Sequence, residues 1–161
     1  AREHLATAII ERQMGELHPL FKSQANRGKN LVIGCVDQEY HRVGARMVAD
    51  FFEQDGWAVY YLGAAVPGET FIAMAREARA DMIGLSSQMV YHLSAVVEFV
   101  KLIDRQGMAG IPIMVGGLPF VQNPELYTKL GVHFSGRNAK EALSRANRYF
   151  ELPDASEDIH S

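Results

Sequence analysis

The sequence predicts an α/β fold, a doubly wound parallel sheet of five strands preceded by an N-terminal helix. Two observations predict it. Between residues 30 and 150, short apolar runs alternate with longer segments of helical periodicity, five times over. That is the pattern of βαβ units, whose strands lie parallel. Glycine and proline also punctuate the joins, at Gly56, Gly63, Pro67-Gly68 and Gly116-Gly117, where turns need them.

Residues 3 to about 25 carry Leu5, Ile9, Ile10, Met14, Leu17 and Phe21 near helical spacing, which predicts an amphipathic helix. Gly15 and Pro19 interrupt it, so a kink or split is expected near the proline. Asn26-Arg27-Gly28-Lys29-Asn30 reads as a turn. Strand one is expected at 30–36, through Leu31-Val32-Ile33-Gly34-Cys35-Val36, and helix one at 43–55, closed by Gly56. Strand two is 58–62 and helix two 68–80. Strand three is 82–86 and helix three 91–106. Strand four is 111–115, closing on Gly116-Gly117, with a short helix near 123–130. Strand five is 132–134 and helix five 138–150. The segment 151–161 is polar and acidic and reads as a flexible tail. Right-handed crossovers leave few topologies for five parallel strands. The flavodoxin-like order 2-1-3-4-5 is the natural choice, with its switch point between strands one and three.

The 161 residues suffice for one domain with a sizeable core. A net charge of −3 without a basic cluster argues against direct nucleic-acid binding. A single cysteine, Cys35, excludes an intrachain disulfide and fits a reducing, cytoplasmic setting. Its place in an apolar strand makes it a small core residue. No apolar run approaches the ~18 residues of a membrane span, and no signal-peptide pattern is seen. The chain opens on Ala1, so either an initiator was removed or this is part of a longer protein.

Three unusual groups fall at the carboxyl ends of strands one, three and four: Asp37, Glu39, His41 and Gly44; Ser86-Ser87-Gln88; and Gly116-Gly117. In this topology all three line one crevice, where open α/β sheets bind ligands. A loop histidine such as His41 is a candidate metal ligand or general base, with Asp37 or Glu39 available to orient it. The alternative is a solvated loop residue. No second ligand stands near it in sequence and His-Glu-x-x-His spacing is absent, so a zinc or iron site built by protein alone is not expected. One protein ligand suits a metal that brings its own equatorial ring. Ser86 and Ser87 either contact a ligand or cap helix three. Gly44 and Gly116-Gly117 either admit a ligand close to the backbone or serve packing and turns. Gly-x-Gly-x-x-Gly and Walker-type loops are missing. Ser86 also stands where a phosphate-accepting receiver domain would carry aspartate.

Glu39-x-His41-x-x-Gly44, Ser86-Ser87-Gln88 and Gly116-Gly117, in that order, resemble the cobalamin (vitamin B12)-binding domain, as does Gly131-Val132-His133-Phe134-Ser135-Gly136. That family carries Asp-x-His-x-x-Gly, Ser-x-Leu and Gly-Gly at these places. Glu39 for Asp and Gln88 for Leu are departures. The resemblance spans roughly residues 30–150. It implies that His41 ligates cobalt from below in place of the cofactor's benzimidazole, with Glu39 on its other nitrogen. It implies that the displaced tail threads past Ser86 or Ser87 and Gly116-Gly117. Val43 and Met89 would touch corrin or tail, with Gly44, Phe134, Ser135 and Gly136 completing the site. Arg2-Glu3-His4-Leu5 resembles the end of the helical cap in cobalamin-dependent light-sensing transcriptional regulators, where a Glu-His pair covers the upper face. On that resemblance residues 1–28 are the end of a truncated cap, 29–150 the binding domain and 151–161 the tail. The implied function is a non-enzymatic, light-responsive cobalamin sensor. It would take adenosylcobalamin foremost, with methylcobalamin or hydroxocobalamin as other forms, and act through a protein partner or homo-oligomer. The alternative is a corrinoid carrier of a methyltransferase, or the cofactor domain of a mutase.

Overall fold

A computed structural model describes residues 9, 12, 13 and 25–153. Most of the expected N-terminal helix, with Glu3 and His4, and nearly all of the expected acidic tail lie outside the described residues. Strands β1 (Asn30–Cys35), β2 (Ala58–Tyr61), β3 (Met82–Ser86), β4 (Ile113–Gly116) and β5 (Phe134–Gly136) form one parallel sheet in the order β2-β1-β3-β4-β5. The register sets the carboxyl ends level. Cys35 pairs with Ser86, Ser86 with Gly116, and Gly116 with Gly136. One row of small residues therefore crosses the sheet at its switch point.

Helices α1 (Val43–Gln54), α2 (Gly68–Glu77), α3 (Leu93–Arg105), α4 (Leu118–Gln122), α5 (Leu126–Lys129) and α6 (Ala139–Tyr149) cover both faces, with a 3-10 turn at Val90–His92 leading into α3. Both faces of a parallel sheet must be buried, and β1 shows the division. Leu31 and Ile33 join Ala49, Phe52, Trp57, Met114, Ala142 and Ala146 on the α1/α6 face. Val32 joins Phe71, Ile83, Leu85, Phe99 and Val115 on the α2/α3 face. Polar groups buried at the carboxyl-terminal ends of α6 and α1 are paired. Trp57 Nε1 donates to Asn147 Oδ1 at 3.1 Å, Asn147 Nδ2 donates to Asp55 Oδ2 at 2.9 Å, and Arg27 pairs with Asp55 at 3.1 Å.

Several boundaries differ from the sequence reading. Gly56 does close α1, at φ +97°, with its N–H on Glu53 O. Helix α2 stops at Glu77 because Arg79 turns to φ +50° and the Ala80 N–H reaches back to Ala75 O. Strand β4 starts at Ile113, after Pro112, which has no N–H to give a ladder. Strand β5 starts at Phe134 because the Val132 N–H is taken by Tyr127 O in the preceding turn. The single short helix expected near 123–130 is two, α4 and α5. The first begins directly after Gly117 with Pro119 in its first turn, a place where proline fits a helix. Cys35 is buried, as expected of a core residue.

Candidate functional site

Beyond β1 the chain doubles back. Glu39 N–H bonds to Val36 O at 2.9 Å, with Gln38 at φ +64°. The Ala65 N–H holds Glu39 O at 2.8 Å. This tight turn drives the Glu39 side chain inward, where it is fully buried, while Asp37 and Tyr40 stay exposed. Oε1 of Glu39 accepts from His41 Nδ1 at 2.6 Å and from the His41 N–H at 3.1 Å. Oε2 accepts from the Gln88 N–H at 2.7 Å, the Met89 N–H at 3.3 Å and His92 Nδ1 at 3.0 Å. Asp37, the other candidate for orienting His41, is not used.

The electrostatics follow from these bonds. Burial pushes the Glu39 carboxyl up, since charge is disfavoured away from water. Bonds from His92, from His41 and from the Gln88 backbone outweigh it and hold the carboxyl low, at about 2. Near neutral pH Glu39 is therefore a carboxylate, and a carboxylate only accepts. Both imidazoles must donate through Nδ1, which leaves the lone pair of a neutral ring on Nε2. His41 has its side chain 56% exposed. Among the described residues its Nε2 meets no protein partner.

A cavity of about 280 Å³ opens on the α1/α6 face; its wall begins at Gly44, three residues after His41, and includes neither His41 nor Glu39. Gly44, Ser86, Gly116, Gly117 and Gly136 wall it, over Ile33 and Met114. A Cβ at Gly116 would meet only Gly136 O, at 3.9 Å, so a side chain there would enter the cavity and fill it. Gly117 differs. It sits at φ +123°, and a Cβ would fall 1.9 Å from Ser87 O. Its bareness lets the β3 and β4 ends approach each other. A second cavity, about 390 Å³, lies on the α2/α3 face and has Asp37 and His92 in its wall.

The structure thus brings Glu39 and His41 together, and places Gly44, Ser86, Gly116, Gly117 and Gly136 around one channel. It separates the two serines. Ser86 lines the channel, whereas Ser87 is fully buried off it and donates to Met89 O at 3.3 Å rather than capping α3. Met89 touches Glu39 through its backbone. Val43, Ser87, Met89, Phe134 and Ser135 are not on the channel wall. Phe134 packs into the α1/α6 core because alternation along β5 turns it there, and Ser135 O accepts from Arg145 at 2.9 Å. Glu3 and His4 lie outside the described residues.

His92 escaped the sequence reading, and Gln88, grouped there with the serines, has a role of its own. His92 follows Ser86 by six residues; a titratable group in the first turn after a switch-point strand was the available signal. Gln88 braces the loops through Oε1, which accepts from the Leu118 N–H at 2.9 Å. Among the described residues no three His, Cys, Asp or Glu side chains are placed to hold a metal ion. A lone imidazole with an orienting carboxylate can supply one axial ligand to a metal already held in a ring.

The family model of the B12 binding domain matches residues 29–144. Dimethylamine corrinoid protein 2 of Methanosarcina acetivorans is 32% identical over 117 residues, 72% of this chain and 53% of that protein. This chain therefore spans about half the length of that relative. A cobalamin-binding protein of Desulfitobacterium hafniense superposes with a TM-score of 0.70 at 23% identity, covering 89% of this chain and 68% of the other. The methanol:cobalamin methyltransferase complex of Methanosarcina barkeri does so with 0.70 at 21%, covering 82% and 52%. At these identities the likeness is one of fold.

Proposed function

The chain belongs to the B12-binding domain family, and we propose that it is the corrinoid carrier of a methyl-transfer system, holding its cofactor base-off with His41 as the lower cobalt ligand. The observation that carries the reading is the Glu39–His41 pair. A fully buried carboxylate 2.6 Å from Nδ1 leaves the lone pair of Nε2 on an exposed ring free to bind a metal, near a glycine-walled channel. Glu39 holds the proton at Nδ1 and fixes the ring plane. Gly116 leaves room for the displaced nucleotide tail, with Gly44, Ser86 and Gly136 along its path. Gly117, Ser87 and Met89 shape the loops that border it; Val43 opens α1, and Phe134 and Ser135 lie in β5. When bound, the corrinoid supplies a cobalt centre that takes up and gives away a methyl group.

The choice of carrier over light sensor rests on the relationship to a dimethylamine corrinoid protein. The feature that favoured sensing, Glu3-His4, lies outside the described residues, and photoreception and transcriptional regulation find no support in the relatives above. On the carrier reading methylcobalamin is a working form of the cofactor, and the partner is a methyltransferase that docks over the His41 face. No helix among the described residues is long and apolar enough to cross a membrane.

The test is reconstitution. Protein mixed with hydroxocobalamin and desalted will keep the cofactor with a histidine-ligated spectrum. The reduced holoprotein will be methylated by a methylamine when a methylamine:corrinoid methyltransferase is present. Retention without methylation, together with a green-light spectral change and altered oligomer size of the adenosylcobalamin form, would favour the sensor instead. Colourless protein after desalting would remove both.

A further inference from the structure

Glu39 is shared between two imidazoles. Oε1 takes His41 Nδ1 at 2.6 Å and Oε2 takes His92 Nδ1 at 3.0 Å. The two rings differ in setting. The His41 side chain is 56% exposed, whereas that of His92 is 14% exposed. His92 is delivered by the 3-10 turn after β3, where its N–H bonds to Met89 O at 3.0 Å. Across the switch point the two loops share no ladder. Past the last backbone bond, from the Val36 N–H to Ser86 O at 3.1 Å, this carboxylate ties them together.

The terminal torsion of a glutamate is broad and nearly two-fold. Held from one side only, the carboxylate would rotate and the His41 ring would follow. Backbone N–H groups of Gln88 and Met89 also reach Oε2, the latter at a long 3.3 Å. His92 is the side-chain donor among them, and its ring is held by the turn that carries it. On the footing of the carrier reading, we propose that His92 is a positioning residue for the lower ligand. By clamping the far oxygen of Glu39 it fixes the His41 ring and keeps its proton on Nδ1, so that Nε2 is the atom presented to cobalt. Removing the direct partner of a metal-bound histidine lowers metal affinity roughly 10- to 100-fold; His92 stands one bond further out, behind Glu39, so the lower end of that range is the expected effect.

The experiment compares His92→Leu, which keeps bulk and removes the donor, with His92→Asn, which restores an N–H near the place of Nδ1. Two readouts are taken. In the cofactor-free protein, 15N shifts of the neutral His41 ring report which nitrogen carries the proton. In the cob(II)alamin form, nitrogen superhyperfine splitting in the EPR spectrum reports whether the histidine is on cobalt. His92→Leu is expected to end the dominance of the Nδ1–H form and to lower the ratio of ligated to unligated cobalt about tenfold. His92→Asn is expected to return both towards wild type. A His92→Leu protein with wild-type tautomer and ligation would overturn the inference. So would His92→Asn failing as badly as His92→Leu, since bulk and not the donor would then matter. Should wild-type protein retain no corrinoid, the carrier reading falls, and the cofactor-free tautomer still decides for or against His92.

Discussion

Replacing Glu39 by glutamine separates the carboxylate's charge from its shape. Glutamine is close to an isostere of the protonated acid, and like it carries hydrogen on one terminal atom. His41 and His92 both present N–H to this group, so one of them would then face another donor. The folded carboxyl lies at about 2, against its usual 4.5. At about 1.4 kcal/mol per unit, this corresponds to roughly 3 kcal/mol of stability. The folded-state value is the lower of the two, so the contribution is complete above 4.5 and is lost as pH falls towards 2. Glu39→Gln should therefore be about 3 kcal/mol less stable than wild type near neutral pH, and the gap should more than half close by about pH 3. Urea unfolding of the cofactor-free proteins at a series of pH values measures it. Taking the difference between the two proteins cancels every other carboxylate. A gap that stays constant across this window would show that the charge on Glu39 contributes nothing, and the account of the site's electrostatics would be wrong.

Gly116→Val should cut corrinoid affinity at least tenfold, because the side chain enters the channel with only Gly136 O at 3.9 Å from its Cβ; stability of the cofactor-free protein should change by less than about 1 kcal/mol, which urea unfolding checks beside binding. Gly117→Ala should instead act through the fold, costing more than about 2 kcal/mol, since its Cβ would lie 1.9 Å from Ser87 O at φ +123°; unchanged denaturation midpoints would contradict this. His133 is pushed below its usual 6.5 by burial, and its Nδ1 accepts from the Ile113 N–H at 3.0 Å. Its folded state resists protonation, so stability should be complete above 6.5 and decline as pH falls below it. His133→Gln should lack that decline, which thermal unfolding between about pH 7 and pH 5 would reveal.

The fold was legible because its signals are local. Each strand is an apolar run closed by glycine or a polar turn, and five repetitions leave one natural order. The boundaries that slipped did so where bonding to another segment decides. Val132 looks like strand, yet its N–H belongs to Tyr127 O. Leu118-Pro119 looks like loop, yet Gly117's left-handed backbone lets α4 start at once. The site divides the same way. Glu39 and His41 are two residues apart, so their pairing could be foreseen. Gly116 and Gly117 look alike in sequence, yet a Cβ at Gly117 would meet Ser87 O at 1.9 Å, whereas one at Gly116 would meet only Gly136 O at 3.9 Å. His92 is 53 residues from Glu39. Nothing in a local pattern joins them, and only the adjacency of β1 and β3 does.

One carboxylate serves two purposes here, and this constrains how the site can vary. Glu39 ties the loop after β1 to the loop after β3 through the Gln88 and Met89 N–H groups and His92, and it also orients His41. A shorter aspartate would reach one side less easily while the other stayed fixed by the sheet register. The extra methylene of glutamate and the ring of His92 are therefore complementary in length. It follows that Glu39→Asp should be rescued poorly by any change at His41 and better by a change at position 92 that brings a donor closer. Comparing the stability of cofactor-free Glu39→Asp with that of its double variants at each position would show whether the span between the loops, rather than the identity of the acid, is what the site conserves energy to maintain.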